Sequence, residues 1–262
     1  MLGMNIQPIG IFDSGVGGTS IWKEINRVLP DEHTIYLADS KNAPYGEKSA
    51  EEILALSEKN TQFLIARGCK LIVVACNTAT TNAIAYLRAK YPIPFIGIEP
   101  AIKPAALQTV SKKIGILATQ GTLSSALFHQ TSKVVANGIE LIEQNGEGLV
   151  PLIEQGRVDN PETKELLERY LNPMVAQGVD CIVLGCTHYP YLIPVIKSIL
   201  PAHIHIIDSG EAVARQTKNI LESHLLLAPK NKATHQFYSN AKLSILKEFL
   251  TGYEVEIAAL DF

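Results

Sequence analysis

Two cysteines stand where chemistry is easiest to build. Cys76 ends the apolar run LIVVA (71–75) and precedes Asn77-Thr78-Ala79-Thr80, while Cys186 ends CIVLG (181–185) and precedes Thr187-His188-Tyr189-Pro190. A thiol between a buried strand and a helix N-terminus feels the helix dipole, which favours thiolate over an ordinary value of about 8.5. The imidazole of His188, two residues beyond Cys186, can hold or relay a proton. Two chemistries fit. Thiols facing each other across a cleft can invert a stereocentre, one taking a proton from one face while the other delivers a proton to the opposite face. Alternatively, one thiol with His188 as its base is an acyl-transfer nucleophile, which leaves the other cysteine without a task. Cys69 and Cys181 begin their apolar runs and read as structural. None of the four has C-x-x-C spacing, and no set of four closely spaced ligands accompanies Cys186 and His188, so no metal site is expected.

A second candidate is the loop DSGVGG (13–18), between a strand and a helix. Its backbone amides could cradle an anion at the helix N-terminus. It is no Walker A loop, because no Gly-Lys-Ser/Thr follows, and Ser20 breaks the G-x-G-x-x-G pattern that Gly15 and Gly17 begin. With Asp39 as a ribose-binding acid, a nucleotide module remains an alternative on these three residues.

The elements that must hold these residues alternate. Strands are predicted at 8–13, 34–39, 71–75, 94–99, 113–119, 139–144, 181–185 and 204–208, with helices at 20–28, 50–67, 79–90, 161–177 and 211–227. Continuous apolar strands separated by helices specify an α/β fold of mostly parallel sheets flanked by helices, with ligands beyond the carboxyl ends of the strands. The halves also match. RGCKLIVVACNT (67–78) lies on QGVDCIVLGCTH (177–188) without a gap, and IGIFDS (9–14) on IGILAT (114–119). This long internal repeat implies two pseudo-symmetric lobes with the active site in the cleft between them. The expected division is 1–100 plus 211–262 for the Cys76 lobe and 101–210 for the Cys186 lobe.

Composition agrees with a small-molecule enzyme. The 262 residues carry 23 Lys+Arg against 26 Asp+Glu, a net charge of −3 with no basic stripe, which argues against a nucleic-acid partner. With 47% apolar and 19% charged residues the chain can build a core. Its apolar runs fall far short of the roughly 20 residues that span a bilayer, so no membrane partner is expected. The first residues lack the pattern of a signal peptide, so the expected compartment is the cytoplasm, where thiols stay reduced.

Taken together, DSGVGG (13–18), Pro44-Tyr45-Gly46, ACNTAT (75–80) and GCTHYP (185–190) resemble the glutamate racemases of the aspartate/glutamate racemase superfamily. The resemblance implies a cofactor-independent, two-base racemase that supplies D-glutamate for bacterial peptidoglycan. It implies that Cys76 takes the α-proton from D-glutamate and Cys186 from L-glutamate, with Asp13 assisting Cys76, and His188 and Glu154 assisting Cys186. Asp13, Ser14, Tyr45, Gly46, Asn77, Thr78, Thr187 and His188 would bind substrate. Such a site holds a dianionic substrate with neutral donors, hydroxyls and helix N-termini. Members of the family are often dimers, so a homodimer is compatible with it. A pyridoxal-phosphate enzyme would need a Schiff-base lysine, and Lys23, Lys41, Lys48 and Lys70 have no context that suggests one. Aspartate racemase is the nearest alternative, and the Cys-His acyl-transfer enzyme a more distant one.

Overall fold

The computed structural model describes residues 6–135 and 138–262. Among the described residues ten strands form two sheets: β1 (Ile9–Asp13), β2 (Thr34–Ala38), β3 (Leu71–Val74), β4 (Phe95–Gly97), β5 (Lys113–Ala118), β6 (Glu140–Asn145), β7 (Cys181–Gly185), β8 (His205–Ile207), β9 (His235–Ser239) and β10 (Glu256–Ala259). The first sheet has the order β10-β9-β2-β1-β3-β4 and the second β6-β5-β7-β8. Every pairing is parallel. The order 2-1-3-4 of the first sheet recurs as 6-5-7-8 in the second, which is the structural form of the internal repeat.

The central strands β1, β3 and β7 are buried along their whole length, as strands covered by helices on both faces must be. The helices are α1 (Thr19–Val28), α2 (Ala50–Ala66), α3 (Asn77–Lys90), α4 (Ile102–Gln108), α5 (Gln120–Leu123), α6 (Ala126–Val135), α7 (Leu149–Glu154), α8 (Pro161–Ala176), α9 (Ile193–Ile199), α10 (Gly210–Ser223) and α11 (Ser244–Phe249). Local chemistry sets several of their starts. Ser49 caps α2 in a reciprocal box with Glu52, and Asn160 caps α8 with Pro161 at its first position. Gly148, at φ 81°, supplies the left-handed turn through which the chain enters α7. No helix among the described residues is long and apolar enough to cross a membrane.

All eight expected strands form, with ends shifted by a residue or two. The C-terminal pair β9 and β10 was not expected from the sequence; it extends the first sheet beyond β2. Fully buried Trp22 of α1 anchors this return, meeting Phe237 of β9 edge-on at 4.9 Å and Tyr253 at 5.1 Å. A buried ion pair adds to it: Lys70 Nζ lies 2.6 Å from Glu32 Oε2 and donates to Leu226 O, while Ala228 N–H donates to Glu32 Oε1.

Candidate active site

Residues just beyond the carboxyl ends of strands from both sheets line one cavity of about 240 Å³. Ser14 follows β1; Pro44, Tyr45 and Gly46 follow β2; Cys76, Asn77 and Thr78 follow β3. From the second sheet come Thr119 after β5, Val150 in α7, and Cys186, Thr187 and His188 after β7. The two cysteines therefore reach the same space from equivalent strand ends. A larger cleft of about 960 Å³ shares Pro44, Gly46, Thr119 and Val150 with this cavity and carries Glu47 and Lys48 in its wall.

The two thiols are supported differently. Cys76 is the N-cap of α3, and the Ala79 N–H donates to its Sγ at 3.4 Å. The expected thiolate-favouring helix effect is thus present, but it is outweighed. Burial pushes the Cys76 thiol well above its ordinary value, and the nearby Asp13 charge and Cys186 push it further. Cys186 has no comparable helix behind it, because Tyr189–Leu192 forms only a 3-10 turn before α9. Its partner is His188, whose Nδ1 lies 3.8 Å from Sγ. Cys69 and Cys181 lie outside the cavity, with burial raising their thiols to about 12 and about 11.

Asp13 and Glu154 sit behind the cavity lining. Asp13 Oδ2 accepts the N–H groups of Gly18 at 2.8 Å and Gly15 at 3.3 Å, and Oδ1 accepts from Thr187 Oγ1 at 3.2 Å. Burial raises its carboxyl to about 6, against the opposing pull of His188 and the Gly18 amide. Glu154 ends α7 and reaches across to the loops of the first sheet. Its Oε1 accepts from Val16 N–H at 2.6 Å and lies 2.6 Å from His188 Nε2, and its Oε2 accepts from Ser40 Oγ at 2.9 Å. Burial disfavours a charged His188, yet its contacts with Cys186 and Glu154 and the Asp13 charge together raise it well above its ordinary value. At 2.6 Å from a carboxylate oxygen Nε2 keeps its proton, which leaves Nδ1, 3.8 Å from Cys186 Sγ, as the ring atom that exchanges a proton with the thiol.

The glycines of the 13–18 loop serve this packing, not a phosphate. A Cβ on Gly15 would stand 1.9 Å from Glu154 Oε1, and one on Gly17 would stand 2.2 Å from His188 Nδ1. Asp39 does not face a ligand either. It accepts from Tyr45 OH at 2.5 Å, Asn42 at 2.8 Å and Asn240 at 2.5 Å, so its carboxylate pins the Tyr45 loop. These contacts remove the basis for a nucleotide module.

Asn77 is the counterpart on the cavity side. Its side chain is buried, and neither its Oδ1 nor its Nδ2 has a hydrogen-bond partner among the described residues. A buried amide so placed carries a desolvation cost that a polar ligand would relieve. Thr78 Oγ1 lies 2.8 Å from Thr119 Oγ1 and 3.3 Å from Thr122 Oγ1, making a cluster of hydroxyls beside it. Thr119 was missed in the sequence, although the repeat places it on Ser14, its counterpart in the other half.

Comparison with known proteins agrees with this geometry. The family model for Asp/Glu/hydantoin racemases matches residues 9–217. A glutamate racemase of Ectopseudomonas mendocina is 46% identical over 244 residues, 93% of each chain. Among solved structures, a glutamate racemase isoform from Bacillus anthracis superposes with a TM-score of 0.88 at 31% identity, covering 97% of each chain. The Escherichia coli glutamate racemase, solved in complex with L-glutamate and the activator UDP-MurNAc-Ala, gives 0.83 at 35% identity over 97% of this chain and 98% of that one. Two parallel sheets with repeated strand order, two cysteines on one cavity and similarity along nearly the whole length lead to one assignment: the chain belongs to the Asp/Glu/hydantoin racemase family of amino-acid racemases.

Proposed function

We propose that the protein is a glutamate racemase that interconverts L- and D-glutamate by proton transfer at Cα between Cys76 and Cys186, without a cofactor. The observation that carries this is the convergence of the two thiols, from equivalent ends of β3 and β7, on one small cavity that also holds hydroxyl, amide and imidazole side chains. From L-glutamate, the Cys186 thiolate takes the α-proton: the C–H bond breaks, an S–H bond forms, and the electron pair passes into the α-carboxylate. Cys76, held as a thiol by its burial, then gives its proton to the opposite face of Cα. In the reverse direction the roles exchange. His188 relays the proton of Cys186 and Asp13 serves Cys76, both acting beside the thiols. Ser14, Tyr45, Gly46, Asn77, Thr78 and Thr187 hold the substrate. The Tyr45 and Thr187 hydroxyls are engaged by Asp39 and Asp13, so the unpartnered Asn77 amide and the backbone N–H groups of these loops are the neutral donors that would stabilise the carboxylate as it gains charge.

In this reading the lobes are 1–100 plus 211–262 and 101–210, the enzyme works in the cytoplasm, and its D-glutamate feeds bacterial peptidoglycan synthesis. A single-nucleophile acyl-transfer reading leaves Cys76 unexplained. The test is racemisation in D₂O with no added cofactor. Deuterium should enter Cα of glutamate from either enantiomer, aspartate should turn over far more slowly, and Cys76→Ala and Cys186→Ala should each abolish racemisation. Full racemisation by either variant, or a thioester trapped at one cysteine, would sink the two-base reading.

A further inference from the structure

Glu154 is built as a bridge. It is carried by α7, after β6 of the second sheet, yet two of its three partners, Val16 and Ser40, come from loops of the first sheet. The third is His188. We propose that Ser40 is a positioning residue for the Cys186 half of the reaction: its hydroxyl, with the Val16 amide, holds the Glu154 carboxylate against His188. The geometry gives each contact a distinct job. Val16 N–H and His188 Nε2 converge on Oε1 at 2.6 Å each, and Ser40 Oγ is the donor to Oε2, at 2.9 Å. Without the hydroxyl, Oε2 loses its anchor, and the carboxylate can rotate away from the imidazole it orients. Ser40 opens the 3-10 turn Ser40–Asn42, one residue beyond the end of β2, so the strand end fixes its position. It does not line the reaction cavity, so it has no contact through which to alter substrate binding directly.

This inference rests on the reading of His188 and Glu154 as the support of Cys186, and a double-mutant cycle separates the two. Ser40→Ala should lower kcat about tenfold with KM nearly unchanged, as expected for loss of one hydrogen bond to a charged group. Ser40→Thr, which keeps the hydroxyl, should restore most of the rate. In a Glu154→Gln background, where kcat is already reduced, Ser40→Ala should cost little more. An unchanged kcat in Ser40→Ala, or an equal loss in both backgrounds, overturns the role of Ser40. If Glu154→Gln alone racemises like the parent enzyme, it is the reading of Glu154 that fails.

Discussion

Gly17 offers the sharpest test of how the site is packed. Its φ lies outside the left-handed region, so alanine suits the backbone and the penalty is steric alone. The added methyl would sit 2.2 Å from Nδ1, 2.4 Å from Cγ and 2.7 Å from Cε1 of His188. To regain an ordinary contact of 3.4 Å the ring must retreat by about 1.2 Å. That ring is held on one side by Glu154 at 2.6 Å and faces Cys186 Sγ at 3.8 Å on the other, so a shift of this size breaks at least one of the two contacts. A displacement of about 1 Å in a catalytic group costs on the order of 100-fold in rate. Gly17→Ala should therefore lose about two orders of magnitude in kcat in both directions while retaining its circular dichroism spectrum. The assay is polarimetric racemisation of each enantiomer, with thermal unfolding measured in parallel. A folded Gly17→Ala enzyme racemising within about twofold of the parent would show that His188 need not stand where the structure puts it.

Three further outcomes are expected. Because burial raises Asp13 from 3.8 to about 6, the folded protein holds that proton more tightly than the unfolded chain, and stability falls as pH rises from about 4 to about 6. Asp13→Asn should remove a penalty of up to about 3 kcal/mol at pH 7.5 and change little at pH 4, read by urea unfolding, while racemisation falls; equal stability at both pH values would contradict this. Asn77→Ala should raise KM for both enantiomers without lowering the melting temperature, since the lost amide has no hydrogen-bond partner among the described residues to leave behind; an unchanged KM would remove Asn77 from the substrate site. Lys70→Met strands buried Glu32 and should cost about 3–5 kcal/mol, so a melting temperature unchanged within about 2 °C would be incompatible with a buried pair there.

How far the sequence foretells these features depends on what each one requires. Strands β1, β3, β5 and β7 were legible because a strand covered on both faces must be an apolar run. Strands β9 and β10 were not, because HQFYS and EIAA mix polar and apolar residues toward the less buried end of the sheet, where β10 is the edge strand. The paired cysteines were legible through the repeat, which put both at strand ends. Glu154 was named on resemblance alone, since LVPLIE is an ordinary amphipathic turn and only the packing of α7 against the first-sheet loops reveals its partners. Ser40 left no signal for the same reason. The expected lowering at Cys76 failed because helix amides are a local feature, readable from an N-cap, whereas burial and the Asp13 charge come from the assembled site.

The unequal support of the two thiols has a consequence for kinetics. Enantiomers in an achiral solvent have the same free energy, so at equilibrium their concentrations must be equal, and kcat/KM must be identical in the two directions whatever the enzyme does. An amide-capped, deeply buried Cys76 and an imidazole-backed Cys186 nonetheless give the two bound enantiomers different surroundings, so nothing requires their bound states to be equal in energy. Any inequality can surface only as a higher kcat in one direction, offset by a proportionally higher KM. The lopsidedness of the site is thus invisible to competition at trace substrate and fully expressed at saturation, where one enantiomer is held longer than its mirror image.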